Sequence, residues 1–356
     1  MILTHKERVR RALAYESVDR LPTQISYTAA QGRRLAEHFG VSLTGLPARL
    51  DNHLVRVDLS FPPRYGDDGS VKFDWWGAGF DTHEEGYFIR TSPLAETKDL
   101  DAYPWPDPQA PGLLDDALRA ISRDAGQHFI VPNFGFALFE RAWSLRSFVQ
   151  FFQDMVTDPA FVEDLLDRIT AIQLVLIRRY IAAGVDGGYF GDDYGAQDNM
   201  LFSPKMWRRY IKPRLARLFA PFRQANLPVL MHSDGKIEAV LPDLVEIGLT
   251  AYNPVQPEVS NHAWLRQTFG TRLAYYGGVS TQTVLPFGTP DEVKAAVAAC
   301  ARTLAPDGTG LLIAPSHRMM SDIPMANVEA LLEAFEALRE AFAALGAPRN
   351  HEPGST

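Results

Sequence analysis

Residues 227–235 read Leu-Pro-Val-Leu-Met-His-Ser-Asp-Gly, a short apolar run that ends in polar residues. An uncharged run of this length predicts a buried strand, and the Ser, Asp and Gly after it predict a turn. Residues 311–317 repeat the arrangement, because five residues without charge are followed by a serine and a histidine. His232, Asp234 and His317 are therefore all expected to lie just past the ends of buried strands.

The same alternation of short apolar runs and longer amphipathic runs continues along the chain and predicts βα units around a parallel sheet. Eight strands are predicted: Thr23–Tyr27, Leu54–Asp58, Phe129–Phe134, Gly187–Asp192, Val229–His232, Ala251–Asn253, Leu273–Gly277 and Leu311–Pro315. Eight parallel strands close a (β/α)8 TIM barrel, so the predicted fold is an α/β barrel. We predict one domain over residues 1–346.

Two segments depart from this pattern. Residues 62–108, between the second and third predicted strands, include the pair Trp75-Trp76 and are expected to form an inserted β-hairpin that shields one end of the barrel. The polar residues 347–356 follow the last predicted helix and are expected to be a flexible tail.

Composition narrows the class of protein. The 356 residues carry a formal net charge of -8 and contain no run of Lys or Arg, which argues against binding to nucleic acid or to an anionic membrane. The single cysteine excludes an intrachain disulfide, and no long uncharged apolar stretch or secretory leader is present. We expect a cytoplasmic protein that acts on a small molecule.

In a (β/α)8 barrel the reacting groups follow the carboxyl ends of the strands. Asp192 and Asp193 directly follow a strand, and one of them is expected to face the barrel mouth as a general base or supporting carboxylate. Glu140 and Arg141, early in the helix after the third strand, are interpreted as an ion pair. The other residues predicted to contact substrate at strand ends are Tyr27, Asp58, Phe134, Gln197, Asn253, Gln256 and Gln282.

Two imidazoles and a carboxylate at converging strand ends form a metal site or an acid/base centre. Each residue also has a simpler interpretation: His232 as a core histidine, Asp234 as a helix cap and His317 as a loop residue. The chain lacks the glycine-rich, Walker, His-Glu-x-x-His and Gly-x-Ser-x-Gly motifs, which removes dinucleotide, nucleotide triphosphate, zincin and α/β-hydrolase chemistry.

Several motifs in order resemble the uroporphyrinogen decarboxylase family, and most closely its corrinoid-dependent methyltransferase branch. The likeness extends from Lys6-Glu7-Arg8-Val9 to the last helix. The motifs are Gly-Asp-Asp-Tyr-Gly-Ala-Gln at 191–197, His-Ser-Asp-Gly at 232–235, Asn-Pro-Val-Gln-Pro at 253–257, Tyr-Gly-Gly-Val-Ser-Thr-Gln at 276–282, Leu-Pro-Phe-Gly-Thr-Pro at 285–290 and Ala-Pro-Ser-His at 314–317.

The resemblance implies a zinc site and a methyl transfer that involves a corrinoid (cobalamin) or a corrinoid protein. In that branch a His-x-Cys after strand five and a Cys after strand eight hold zinc. The corresponding residues here are His232, Asp234 and His317, so both sulfur ligands are replaced. A His, Asp, His set still suits zinc or another borderline divalent metal.

The decarboxylase itself is the second choice, because the family's Arg-Gln-Ala-Gly-Arg-Tyr segment reads Ser-Tyr-Thr-Ala-Ala-Gln-Gly-Arg-Arg at 26–34. The leading hypothesis is a metal-dependent methyltransferase or demethylase with His232 as catalytic and metal-binding residue. A cofactor-free decarboxylase, a metal-dependent lyase or hydrolase, and a non-catalytic barrel stay open, as does a homodimer.

Overall fold

The structure is a computed structural model that describes residues 2–346, apart from the side chains of 342–346. The tail predicted at 347–356 lies outside these residues. The helices are α1 (His5–Leu13), α2 (Ala29–Phe39), α3 (Leu46–Arg49), α4 (Asp115–Asp124), α5 (Phe139–Arg146), α6 (Phe148–Thr157), α7 (Pro159–Ala183), α8 (Pro204–Tyr210), α9 (Lys212–Gln224), α10 (Leu241–Ile247), α11 (His262–Phe269), α12 (Val284–Phe287), α13 (Pro290–Leu304) and α14 (Met325–Gly346). The strands are β1 (Leu54–Val57), β2 (Arg64–Tyr65), β3 (Val71–Phe73), β4 (Gly79–Asp81), β5 (Ile89–Thr91), β6 (Phe129–Gly135), β7 (Gly188–Gly191), β8 (Val229–His232), β9 (Ala251–Asn253), β10 (Ala274–Val279) and β11 (Leu311–Pro315).

Seven strands form one curled parallel sheet in the order β1-β6-β7-β8-β9-β10-β11. Neighbours in the sheet follow one another in the chain apart from the insertion, and helices cross back between most of them. The α/β class is therefore confirmed, and the curl of the sheet is that of a TIM-barrel-like fold. None of the helices in the described part of the chain combines the length and apolarity needed to cross a membrane.

The inner face of the sheet changes from apolar to polar along the strands. Val9 and Leu13 of α1 pack into its base, so α1 covers the amino ends of the strands. Side chains alternate between faces in a strand, and residues two positions beyond the inner apolar layer are Arg56 in β1, His232 in β8 and Asn253 in β9. The polar end is the carboxyl end, which we call the mouth. The inner apolar layer consists of Leu54, Phe129, Val131, Tyr189, Leu230, Ala251, Ala274, Tyr276, Leu312 and Ala314.

Residues 23–27, predicted as the first strand, form an extended segment with isolated bridges instead. One edge of the segment bridges to Ile313 of β11. On the other edge side chains replace the strand ladder, because Asn52 binds both the N–H and the C=O of Ile25, at 2.7 and 3.0 Å. The Gln24 carboxamide oxygen accepts from two backbone N–H groups at the start of β1, at 3.1 and 2.9 Å. The segment therefore lies between the two edges of the sheet without forming a regular strand.

The insertion within residues 62–108 forms more than the predicted hairpin. β2, β3, β4 and β5 make a four-stranded antiparallel sheet, which we call the lid sheet. Each of its strands has only two or three residues, too few for an alternating pattern to be recognised in the sequence. Residues 82–88, between β4 and β5, form the lid loop.

Candidate metal centre at the mouth

His232, Asp234 and His317, which we call the triad, converge at the carboxyl ends of β8 and β11. The two imidazole ring centroids are 5.7 Å apart. Asp234 lies between the rings, with Oδ1 3.6 Å from Nε2 of His232 and Oδ2 3.7 Å from Nε2 of His317. One donor atom from each residue lies within 4.8 Å of the others. The structure thus brings His317 together with His232 and Asp234, which lie more than 80 residues earlier in the chain.

The orientation of His232 is set by Asn253, its neighbour in the β8–β9 register. Nδ1 of His232 lies 2.7 Å from Oδ1 of Asn253, and the Tyr189 hydroxyl donates to the same oxygen at 3.0 Å. Nδ2 of Asn253 donates to the carbonyl of Tyr276 at 2.8 Å, which fixes which end of the amide faces the imidazole. In the neutral ring the proton therefore belongs on Nδ1, and Nε2 presents its lone pair to the triad.

The loops after β7 and β8 cross closely and hold Asp234 in place. Gly235 has φ +75°, and a Cβ on this residue would overlap the backbone of Gly195, so only glycine fits there. Oδ1 of Asp193 accepts from the Asp234 N–H at 2.8 Å and lies 3.6 Å from Nε2 of His232. Asp193 is thus a second carboxylate beside His232.

The charges of the triad depend strongly on one another. Burial by itself would lower the pKa of His232, but the carboxylates of Asp234 and Asp193 raise it to about 9. The His232 and His317 imidazoles lower the pKa of Asp234 against the effect of burial, whereas burial raises the pKa of Asp193. Burial also holds the pKa of His317 below its usual value. The carboxylates that stabilise a proton on His232 would also stabilise a metal cation, so a metal ion would compete with that proton for the imidazole.

Asp192, the other aspartate predicted at this strand end, is fully buried and anchors α5. Its carboxylate accepts from the backbone N–H groups of Leu138, Phe139 and Glu140 at 3.2, 2.9 and 2.7 Å, and from the Tyr194 hydroxyl at 2.7 Å. Burial raises the pKa of Asp192 to about 6 despite these four donors. Of the two aspartates, Asp193 is the one beside the triad.

Glu140 is a site residue that the sequence analysis missed. Arg141 pairs with Asp74 rather than with Glu140. Burial, together with the charges of Asp193 and Asp192, raises the pKa of Glu140 well above its usual range. Glu140 therefore holds its proton more readily than an exposed glutamate does, and its carboxyl group lies close enough to Asp193 for the two charges to interact. Its place in the first turn of a helix that begins at a strand exit was the available signal.

Several predicted substrate contacts do lie in the loops of the mouth. Nδ2 of Asn133 donates to Oδ1 of Asp58 at 2.9 Å, which joins the ends of β6 and β1. Gln197 and Gln282 approach each other at 3.5 Å from the loops after β7 and β10, and both are exposed.

Two other residues predicted to contact substrate pack against neighbouring parts of the protein. Gln256 is buried, and its carboxamide oxygen lies 3.4 Å from the backbone nitrogen of Gly235. Tyr27 is half-buried and its ring covers Gly32 in α2.

Phe134 and the tryptophan pair do not reach the mouth. Phe134 stacks on Phe190 at 5.2 Å in the layer between sheet and helices, because inward-facing Phe129 and Val131 place residue 134 on the opposite face of β6. Trp76 is buried in the base of the lid sheet, under the Arg141 guanidinium. Asn133 takes the place expected for Phe134, and the lid loop takes the place expected for the tryptophans.

The residues of the triad fit a borderline divalent metal. Ligand atoms about 2.0–2.1 Å from a tetrahedral zinc lie about 3.4 Å from one another. The separations of 3.6 and 3.7 Å are close to this value and too long for hydrogen bonds. The His317 side chain is 41% exposed, which leaves one side of the triad open to the mouth. The donor set is that of a zinc-type site with a position for substrate or water.

Comparison with known proteins supports this description of the fold. The family model described as uroporphyrinogen decarboxylase (URO-D) matches residues 68–338. A methyltransferase from Methanosarcina mazei has a similar structure, with a TM-score of 0.69 and 20% identity over 94% of this chain and 99% of that one. A sugar phosphate isomerase/epimerase from Parabacteroides distasonis is more distant, with a TM-score of 0.42 and 7% identity over 93% and 99% of the two chains. No curated protein matches this chain.

Proposed function

The chain belongs to the uroporphyrinogen decarboxylase family, and within that family we propose that it is a metal-dependent enzyme that transfers or removes a methyl group. The triad is the proposed metal site, in the mouth of a (β/α)8 barrel. The observation that carries the proposal is the open arrangement of His232, Asp234 and His317, whose donor atoms face one another at 3.6–3.7 Å without hydrogen-bonding. Family membership supports an enzyme of the methyltransferase or decarboxylase type.

A zinc-type ion held there would acidify a bound group or polarise an oxygen leaving group, which is typically worth several kcal/mol. The residues around it have separate tasks. Asn253 keeps the lone pair of His232 on Nε2, and Asp193 holds the backbone of Asp234. Glu140, whose pKa is raised by burial and by its acidic neighbours, is the proposed proton donor near the triad.

The ligand types suggest which chemical groups react. The resemblance implies two cysteine ligands, but the corresponding residues of this chain are Asp234 and His317. Oxygen and nitrogen ligands make a harder site than thiolates do, and a harder site favours substrates that bind through oxygen. We therefore propose methyl transfer from an O-methyl or similar compound, with a reduced corrinoid or corrinoid protein as the methyl acceptor and the free alcohol or phenol as the second product.

A cofactor-free decarboxylase is the second candidate, favoured by the description of the matching family model and by the carboxylate of Asp193 in the mouth. Such an enzyme would keep its activity after complete chelation. A lyase or hydrolase would use the same triad but would not respond to a corrinoid.

The test combines metal content with activity. Protein purified without chelator is expected to contain about one zinc per chain, and to transfer methyl groups from O-methyl compounds to reduced cobalamin. Chelation should abolish this activity and zinc should restore it. Asp234→Asn should lose both metal and activity, while Asp198→Asn, at an exposed position in the loop after β7, should lose neither. Metal content near zero in the wild-type protein would refute the proposal.

A further inference from the structure

Arg56 is a guanidinium in the mouth without an acidic partner. It lies on the inward face of β1, two residues beyond Leu54 of the apolar layer. Its Nη2 donates to Oγ of Ser26 at 3.2 Å, and its Cζ lies 5.1 Å from the ring centroid of Tyr189. It forms no salt bridge with any residue that the structure describes. About half of the arginines that the structure describes form no salt bridge, and Arg56 differs from the others in this group because it lies on a strand of the parallel sheet.

Arg318 is a second such group, next to His317 of the triad. Its Cζ lies 4.5 Å from the ring centroid of Tyr87 in the lid loop. Over residues 2–346 it too has no carboxylate at salt-bridge distance. Ser26, whose hydroxyl accepts from Arg56, also accepts through its backbone carbonyl from the N–H of Met319, the residue after Arg318, at 2.8 Å. Arg56 and Arg318 therefore flank the segment 23–27 from β1 and from the loop after β11.

The lid loop is fixed where Tyr87 enters the mouth. The Glu85 carboxylate accepts from the Ser321 hydroxyl at 2.6 Å and from the Thr28 hydroxyl. The Tyr87 ring contacts Phe80 and Phe136 edge to face, with centroids 6.1 and 5.7 Å away. Tyr87 is thus held beside Arg318 by contacts on several sides.

The acidic groups nearby are already engaged. Asp58 forms no salt bridge with Arg56, and its Oδ1 accepts from Asn133. Glu85 binds two hydroxyls, as described above. Arg56 and Arg318 are both partly buried, and a guanidinium that loses water without gaining a carboxylate is destabilised. An anionic group of the ligand would remove this cost, and the planar donors of arginine match a carboxylate.

We propose that the substrate carries a carboxylate that binds Arg56 and Arg318, while its reacting end lies at the triad. This inference rests on the proposed function for the reacting end only. Tyr189 lies under Arg56 and donates to the Asn253 oxygen that holds His232. One aromatic ring and one amide therefore separate Arg56 from the triad, a short separation that a small carboxylate can span.

The test uses the full-length zinc-loaded protein, with benzoate and its neutral analogue benzamide as probes in calorimetric titrations. Wild-type protein is expected to bind benzoate at least about tenfold more tightly than benzamide. Arg56→Gln and Arg318→Gln should each weaken benzoate binding by about tenfold to a hundredfold, the usual effect of losing a charged hydrogen bond, and leave benzamide unchanged. Arg90→Gln is the matched control, since Arg90 is exposed in the lid sheet and paired with Asp81.

Several outcomes would overturn the inference. These are equal binding of benzoate and benzamide, no benzoate binding at millimolar concentration, and equal losses in the Arg90 variant. Tighter binding of inorganic phosphate than of benzoate would reject a carboxylate in favour of phosphate. If Arg56→Gln fails to fold, Arg318→Gln and Arg56→Lys carry the test.

Zinc content separates this inference from the proposed function. Arginine-dependent benzoate binding by a protein that takes up no zinc would leave the anion subsite and refute the metal proposal. If zinc-loaded protein binds benzoate equally well with and without the two arginines, the metal proposal stands and the anion subsite is refuted.

Discussion

Two clusters of two histidines and one aspartate lie at opposite ends of the sheet. The triad is at the mouth, and His5, Asp51 and His53 form the base cluster at the amino ends of the strands. In both, one possible ligand atom from each residue lies within 4.8 Å of the others. Residue types and distances alone therefore do not distinguish them.

The difference lies in what else the donor atoms contact. In the base cluster Arg20 binds both oxygens of Asp51, at 2.5 and 3.0 Å, and His5 lies 3.0 Å from the same carboxylate. Nε2 of His53 lies 3.0 Å from a guanidinium nitrogen of Arg8. The base cluster is an internally satisfied hydrogen-bond network next to two cations, which disfavours a metal. At the mouth Nε2 of both triad histidines and the Asp234 oxygens form no hydrogen bond with any described residue, and their separations are 3.6–3.7 Å. Availability of the donor atoms, more than their identity, separates a candidate site from a structural one.

The largest expected effect tests this comparison directly. His232→Ala and His317→Ala should each lower the affinity for zinc by more than the tenfold to hundredfold that is typical when a residue supporting a metal ligand is lost. His5→Ala and His53→Ala should keep the wild-type zinc content in elemental analysis. Zinc lost from folded base-cluster variants, or kept by both triad variants, would contradict the assignment.

The next effect is expected at the base cluster and not at the triad, and it is measured as stability. Arg8→Met should lower the free energy of unfolding by about 3 kcal/mol, because it leaves His53, Asp19 and the Leu3 carbonyl without a buried partner. Denaturant unfolding of metal-free protein measures this loss.

Two variants serve as controls for Arg8→Met. Arg10→Met, exposed on the same helix, and His317→Ala should each stay within about 0.5 kcal/mol of the wild type. A loss in His317→Ala as large as that in Arg8→Met would remove the contrast between the two ends.

A smaller effect is expected from the support of the triad. Asn253→Ala removes the acceptor of the His232 Nδ1–H and should weaken zinc binding by about tenfold to a hundredfold in competition with a chelator. Gln282→Ala, exposed at the same mouth, should leave zinc affinity unchanged. Equal affinities in the two variants would mean that the orientation of His232 does not matter.

The effect that is smallest at neutral pH, and grows as the pH falls, concerns the base cluster. Burial and the neighbouring His5 lower the pKa of His53 to about 3, whereas the unfolded value is about 6.5. The unfolded chain binds a proton as the pH falls below about 6.5 and native His53 does not, so stability falls between that pH and about 3, by at most about 1.4 kcal/mol per pH unit.

His53→Gln should flatten this part of the stability profile, measured by denaturant unfolding at several pH values. An unchanged slope would show that His53 binds its proton equally in both states.

Much of the fold and part of the site could be predicted because local patterns and tertiary structure agree there. Seven apolar runs became strands of the parallel sheet, and the residues after them lie at the mouth. Phe134 was misplaced because the inward face of β6 depends on its pairing with neighbours and not on its own residues. Residues 23–27 were misjudged because the side chains of Asn52 and Gln24 do the work of a strand ladder.

The arginines of the mouth were missed for a different reason. Arg56 shares the alternation of Leu54 in β1, so its inward position could have been found from the sequence. The sequence could not have shown that Arg56 and Arg318 lack acidic partners among the described residues. That depends on which groups bind the carboxylates of Asp58 and Glu85. Glu140 was misread because adjacent charges in a helix were taken as partners, although they point in different directions.

The position of Glu85 has a consequence for how the molecule opens. Its carboxylate joins Thr28, which follows segment 23–27, to Ser321 in the loop after β11. These two parts of the chain lie on either side of the place where the two edges of the sheet meet. A residue from an insertion thus fastens the seam where the sheet closes on itself. Cutting the polypeptide within residues 82–88 would therefore free the lid loop and remove one side-chain link across the seam, while the backbone bridges of Thr23 and Tyr27 to Ile313 and Met319 would remain.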